Sequence, residues 1–423
     1  MKKPVFDIDH ATRILRNNDL GGYTIPTQGL YPFQWNWDAA ITALGWMEAG
    51  DEARAWLELE MLLKGQWDNG MVPHIIFHAD ADTYFPGPEV WGVENAVKTS
   101  AISQPPVLAS VVKILFEQGK DRALAEQKLA QLLPGVMAYH LWWYRERDPE
   151  NTGLVCSYHP WESGMDNSPA WDHPLENVPA ADWEYTRRDT GHVDAAERPH
   201  KHQYDRYIYL VDFFKRNHFD SDLIYQTCPY RVQDIGIISI LHRANTDLLV
   251  LCQNRIDNDS TRSLQQSSAR TAAAIGALWS EDLNCFVSRD TLTGAQLKTI
   301  SCAGVLPLFG ELASPAQAAA INENLGSWIE DAPFGLASTH PHSETFEPQR
   351  YWRGPSWLHI NWMIALGLDT YGLSERAAQI KQVSKACLAN GDFWEYYNSV
   401  SGEGCGGGEF SWTAAIALHW LKD

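Results

Sequence analysis

The chain has 423 residues, 45% of them hydrophobic, enough to bury a sizeable core, and it sets 33 basic against 53 acidic residues for a formal charge of −20. That balance excludes a nucleic-acid binder, which needs a basic stripe to displace counterions from phosphate. Its seven cysteines are scattered and lack C-x-x-C spacing, so neither a disulfide framework nor a zinc cluster is expected.

Met1-Lys2-Lys3-Pro4 leads into Val5-Phe6-Asp7 without the apolar core of a secretory signal. No uninterrupted apolar stretch approaches the ~20 residues of a membrane span. A soluble, cytoplasmic protein is expected. No Ser/Gly tract, proline-rich linker or charge run divides residues 1–423, so the reading is one domain.

Helical period begins after Asp38, with Ala40, Ala43, Leu44 and Met47 at i, i+3, i+4 and i+7, and resumes with Leu57, Met61 and Leu62 past Gly50-Asp51. Further helical windows are predicted near 105–118, 122–147, 203–216, 234–254, 260–279, 315–328, 354–368, 374–389 and 411–422. Strand-like alternation is brief, around Cys285-Phe286-Val287 and Leu297 to Ile300. Roughly ten to thirteen helices without a strand–helix–strand rhythm suit an all-α toroid of helix pairs. Five loops are unusually rich in aromatics, turn residues and carboxylates: Tyr31 to Asp38, Gln66 to Pro73, Ser157 to Asp172, Ser343 to Trp357 and Phe393 to Trp412. If helices alternate in direction, these loops can converge on one mouth, where a rigid scaffold carries function.

The chain has 19 tryptophans, and Trp35, Trp37, Trp161, Trp171, Trp352, Trp357 and Trp394 sit in polar, Gly/Pro-rich segments. Indoles stack on the apolar faces of pyranose rings, which points to a sugar cleft; large helical enzymes also bury Trp between helices and loops. The most distinctive segment is Tyr158-His159-Pro160-Trp161-Glu162-Ser163-Gly164-Met165-Asp166-Asn167-Ser168-Pro169-Ala170-Trp171-Asp172. Gly164 permits a tight turn, and the prolines keep the segment out of a long helix. A carboxyl set among indoles holds its proton toward neutral pH and can donate it to a leaving oxygen. Residue types alone serve equally well for Asp166 as a turn or helix cap.

This segment resembles the ESGxDxSxxW signature of trehalases and glycoside hydrolase family 63, a family that includes bacterial glucosylglycerate and mannosylglycerate hydrolases. Tyr351-Trp352-Arg353-Gly354-Pro355-Ser356-Trp357 with Asn361-Trp362 is similar to its YWRGPxW…NW element. Glu395-Tyr396-Tyr397-Asn398 with Phe410-Ser411-Trp412 resembles its C-terminal element, and Tyr31 to Asp38 its FxWD element. The resemblance runs from about residue 20 to the end, with the motifs in family order. It implies an (α/α)6 barrel with long loops at one mouth and an inverting hydrolase of small α-glycosides, with Asp166 as general acid and Glu395 as general base. Inverting enzymes hold such a pair about 6.5–9.5 Å apart, leaving room for a water.

Tyr31, Trp35, Trp37, Asp38, Gln104, Trp161, Gly164, Trp352, Trp357 and Trp412 are the expected substrate-binding residues. Arg206 with Tyr207, and Tyr204 or Tyr84, is the expected grip on a glycerate carboxylate, an arginine being able to hold one bidentately; an ordinary surface pair is the plain alternative for Arg206. At this length the chain is expected to lack the β-rich domain of relatives that act on large glycans, which favours a small substrate, with glucosylglycerate or mannosylglycerate the expected one. Glu409 is the alternative base, Glu162 is expected to orient its loop, and Asp38 to accept a substrate hydroxyl or cap its helix. No metal or other cofactor is expected, the pairs His200/His202 and His340/His342 lacking a third ligand. The partner is a small carbohydrate, with no nucleic acid and no membrane, and a homo-oligomer is compatible. The rivals are an α/α-barrel epimerase working through His200, His202 or His359, a lyase with a Tyr or Lys base, an α-glucosidase on neutral saccharides, and an inactive sugar-binding protein.

Overall fold

The computed structural model describes residues 6–253 and 255–422; Met1 to Val5, which bear on the expected absence of a leader, lie outside the described residues. Eleven helices build the scaffold: α1 (Ile8–Asn17), α2 (Asn36–Glu48), α3 (Glu52–Leu63), α4 (Leu108–Gln118), α5 (Arg122–Arg147), α6 (Ile235–Cys252), α7 (Asn258–Ala274), α8 (Pro315–Asp331), α9 (Leu358–Thr370), α10 (Ser374–Cys387) and α11 (Ser411–Ile416). They close an (α/α)6 barrel. In the inner ring α2 packs on α4 and α11, α4 on α6, and α9 on α11. Around it α3 backs α2, α5 backs α4, α7 backs α6, α10 backs α9 and α1 backs α11.

The inner helices are mostly apolar and mostly buried, as their place in the ring demands. In α2, Ala39, Ala40, Ile41, Ala43 and Leu44 are fully buried. Gly45 closes the ring: a Cβ there would lie 2.7 Å from the Ala415 Cα of α11.

The sixth inner position is not a regular helix. It is residues 302–311, a single 3-10 turn (Cys302–Gly304) followed by further turns. Pro307 has no N–H for a helical ladder. The stretch is wedged between its neighbours, since a Cβ on Gly310 would sit 2.7 Å from the Ser239 oxygen of α6 and one on Gly367 of α9 2.4 Å from the Phe309 nitrogen. Helical period has no purchase on such a segment.

Helix α6 is the one described helix long and apolar enough to cross a bilayer by length and composition, yet 72% of it is buried. It is a core helix. The brief strand signals correspond to small antiparallel pairs. Cys285–Phe286 pairs with Trp279–Ser280, and Gln296–Leu297 edges a four-stranded sheet with Ser288–Asp290, Val232–Gln233 and Cys156–Ser157. That sheet launches the loop beginning at Ser157.

A second apolar cluster lies apart from the barrel core and contains Phe33, Trp35, Trp161, Trp171, Tyr204 and Tyr207. It welds the 31–38 and 157–172 loops to the helix Lys201–Arg216.

Candidate active site

One cavity of about 740 Å³, counting its open mouth, gathers most of the expected residues: Tyr31, Trp35, Trp37, Asp38, Gln104, Trp161, Gly164, Asp166, Trp352, Glu395 and Trp412. Its size suits a small ligand. The loop Gln66 to Pro73 does not reach it; the residue after it, His74, does. A segment not expected there, through Asp189, Arg198 and Pro199, forms another part of the wall with Tyr84, Phe85 and Tyr204.

The loop bearing Asp166 is fixed through its backbone. Ring Nε1 of Trp171 donates to the Met165 oxygen at 2.8 Å, and the Tyr207 hydroxyl to the Asp166 oxygen at 2.8 Å. The Trp352 amide donates to Asn167 Oδ1 at 2.8 Å. Glu162, fully buried, accepts from the Tyr158 amide at 2.8 Å and pairs with Arg147 at 2.6 Å, so it orients the loop as expected. Gly164 has φ +67°, and a Cβ there would come within 2.7 Å of the Trp37 ring. Only glycine meets both demands.

No other described residue donates a hydrogen bond to the Asp166 carboxyl, so nothing of that kind rewards its ionisation. Burial pushes it up to about 7, with the charge of Arg198 pulling the other way. It therefore holds a proton near neutrality, as a general acid must.

Glu395 is 2% exposed, and its carboxylate is surrounded by donors. The Tyr31 hydroxyl donates to Oε1 at 3.0 Å and the Gly407 amide to Oε2 at 3.2 Å, while Arg198 Nη1 lies 3.7 Å from Oε2. Burial raises the group above the usual glutamate range, but Arg198 and these donors favour the charged form. The loop is shaped for this. Gly406 has φ +74°, and a Cβ there would fall 2.4 Å from Oε2. The Trp412 ring N–H donates to the Glu395 backbone oxygen at 3.0 Å.

Glu409 is turned outward, its side chain 57% exposed and 2.9 Å from His10, and it does not line the cavity. Asp38, in the first turn of α2, makes no side-chain cap; Trp35 holds the cap position. Burial raises the Asp38 carboxyl strongly, with Glu395 adding to the effect, and the residue lines the cavity. Gln104 lines the cavity and accepts from the Trp37 amide at 3.2 Å.

Three expected contacts need correction. Arg206 does not face the cavity: its Nε donates to the Leu175 oxygen at 2.8 Å and its Nη1 to the His202 oxygen at 2.8 Å. Tyr207 supports the Asp166 backbone from behind instead of lining the cavity. Trp357 lies one layer back, stacked on Trp352 with ring centres 3.9 Å apart and planes 2° apart. The wall cation is Arg198, which is 5% exposed. Its Nε pairs with Asp189 at 3.2 Å, and its guanidinium lies 4.2 Å over the Tyr351 ring. Its Nη1 is buried and makes no hydrogen bond to the protein.

Of the histidines an epimerase would need, His200 is 41% exposed and faces Glu347, and neither it nor His202 lines the cavity. His359 lies beneath the floor, its ring 4.7 Å from that of Trp37 and 4.3 Å from that of Trp412, and burial pushes it down to about 3. His74 does line the cavity, but burial drives it well below its usual range, so it stays neutral. Among the described residues no cluster could hold a metal ion.

Residues 31–413 match the family of mannosylglycerate hydrolase MGH1-like glycoside hydrolase domains. The chain is 47% identical over 416 residues to the mannosylglycerate hydrolase MGH1 of Selaginella moellendorffii, covering 98% of this chain and 85% of the relative. It superposes with a TM-score of 0.94 and 43% identity on the crystal structure of the GH63 mannosylglycerate hydrolase from Thermus thermophilus in complex with Tris and D-glycerate, covering 99% of this chain and 100% of that one. The neutral trehalase Nth1 of Saccharomyces cerevisiae, 18% identical with a TM-score of 0.57 over 93% of this chain and 72% of its own, shares the fold. A barrel of helix pairs, two carboxyls of opposite dress in one indole-lined cavity, and these likenesses agree: the chain belongs to the MGH1-like glycoside hydrolases of family 63 and is a glycosidase.

Proposed function

We propose that this enzyme hydrolyses an α-glycoside of glycerate, mannosylglycerate or glucosylglycerate, with inversion at the anomeric carbon. The observation that carries the substrate class is the buried Arg198 Nη1, without a hydrogen-bond partner, in the same cavity as Asp166 and Glu395. A buried guanidinium with an open donor calls for an anion, and glycerate supplies a carboxylate. The Thermus relative, alike over its whole length, holds D-glycerate in its crystal.

In this reading the pyranose stacks among Trp35, Trp37 and Trp412 while Asp38 and Gln104 take its hydroxyls. Asp166 gives its proton to the glycosidic oxygen as the C–O bond breaks. Glu395 removes a proton from a water attacking the opposite face, and the sugar leaves with inverted configuration. The seven free, buried cysteines support the reading of a reducing, cytoplasmic compartment.

A panel of mannosylglycerate, glucosylglycerate, the primary amide of each and kojibiose tests this. The charged substrates are expected to turn over with the highest kcat/KM, and Arg198→Gln to raise KM for them by roughly tenfold or more while sparing the amides. An equal penalty on both would remove the carboxylate from the account and leave a neutral α-glucosidase.

A further inference from the structure

Arg198 faces in two directions. On one side Asp189 takes its Nε at 3.2 Å, and Asp189 is also paired with Arg187 at 2.5 Å. On the other side Nη1 points toward Glu395 Oε2 at 3.7 Å, beyond hydrogen-bond length, with the guanidinium carbon 4.2 Å over the Tyr351 ring and 5.7 Å over that of Tyr31. At 5% exposure this charge acts on Glu395 through protein more than through water.

The remaining groups that face Glu395 are neutral donors or acids. Tyr31 and the Gly407 amide donate to it. Asp38 and Asp166 share its cavity. Glu197, beside Arg198 on the same segment, turns its Oε2 to the Gly406 amide at 2.8 Å. Among the described groups that line this cavity, Arg198 is the one full positive charge.

We propose that an anionic aglycone, by pairing with Arg198, cancels the positive field this arginine exerts on Glu395 and Asp166, so that the substrate's own carboxylate sets the proton affinity of the base and acid that cleave it. The proposal rests on the reading of Arg198 as the aglycone's partner and adds a consequence for turnover. After burial, Arg198 is the largest influence on both carboxyls, and it holds both down. With a neutral aglycone its charge is balanced only by Asp189, which it shares with Arg187. Glu395 is then the weaker base and Asp166 loses its proton at lower pH. With a carboxylate in place both hold protons more tightly, and the enzyme works as a paired acid and base at a higher pH. Discrimination for charge therefore enters kcat as well as KM.

The test compares kcat against pH, at saturation, for mannosylglycerate and its primary amide, because such profiles report the groups in the enzyme–substrate complex. With the wild-type enzyme both limbs of the bell are expected about one unit higher for the acid than for the amide. Arg198→Gln, assayed on the amide, is expected to shift the bell upward in the same direction, since the mutation removes the charge that the substrate otherwise cancels. Arg198→Lys on the amide keeps the charge and the wild-type position. Coincident wild-type bells would overturn the coupling even if Arg198→Gln raised KM for the charged substrate alone. An unmoved amide bell in Arg198→Gln would overturn it as well. An equal KM penalty on acid and amide would overturn the aglycone reading, and the coupling with it.

Discussion

The loop from Ser157 to Asp172 and the loop from Phe393 to Trp412 each bring one carboxyl to the same cavity, but they treat it differently. The first spends its contacts on the backbone: Trp171, Tyr207 and Trp352 hold residues 165 to 167 from separate sides, and the carboxyl of Asp166 is left without a donor from another described residue. The second surrounds the carboxylate itself, with Tyr31, Gly407 and Arg198 all turned toward Glu395. A carboxyl in a dry site without donors keeps its proton, and one fitted with donors gives it up more readily. The contrast supports the proposed roles of Asp166 as acid and Glu395 as base without reference to sequence position.

The contrast breaks most visibly at the carboxyls. Asp166→Asn and Glu395→Gln are each expected to lower kcat by about 10²–10⁴-fold on a natural glycoside. They part company on a substrate with an activated leaving group such as a glycosyl fluoride, which needs no proton: Asp166→Asn regains rate there and Glu395→Gln does not. Equal rescue of both would erase the distinction. The pH profile carries the same sign. Asp166 acts while protonated, so activity is present below its value of about 7 and is lost as pH rises through it. The ascending limb belongs to Glu395 and lies above the usual glutamate range.

A smaller effect is expected at Gly406, where an added methyl would meet Glu395 Oε2 at 2.4 Å. Gly406→Ala displaces the base without touching its chemistry, and a loss of about 10²-fold in kcat/KM is the expected cost of such misplacement. Retained activity would show that Glu395 tolerates movement its partners do not suggest. The smallest effect belongs to Glu409. Its side chain is 57% exposed and turned to His10, so Glu409→Ala is expected to change kcat/KM by less than about twofold, within the usual range for surface substitutions. A loss comparable to that of Glu395→Gln would make Glu409 the base.

Much of this site was legible in the sequence through motifs that resemble those of family 63, while residue types alone leave Asp166 open as an acid or a cap. Gly164 permits a tight turn by sequence, and the structure shows why it is glycine, with φ +67° and the Trp37 ring packed against it. Helices of both rings announced themselves through period: 122–147 coincides with α5 of the outer ring, and 234–254 nearly coincides with α6 of the inner ring. Arg198 was not legible. It lies in a largely exposed segment after Asp189, without periodicity or motif, and its position depends on Asp189 and on the rings of Tyr31 and Tyr351 from distant loops. Arg206 drew attention by standing next to Tyr207, although helical phase argues otherwise. Tyr204, Tyr207 and Ile208 share the buried face of Lys201–Arg216, and a residue two positions from Tyr204 is turned about 200° away from it. The 302–311 segment was illegible for a different reason: it completes the inner ring by close backbone approach at Gly310 and Gly367, and such approach leaves no side-chain pattern.

The account depends on Asp166 and Glu395 acting from opposite faces of one pyranose, with a water between the sugar and Glu395. Proton NMR of the anomeric signals during the first minutes of mannosylglycerate hydrolysis, before mutarotation, reads this directly. Release of the β-anomer of the sugar from the α-glycoside is the predicted result. Release of the α-anomer would mean that a carboxylate attacks the sugar itself, and would contradict the roles given to both residues.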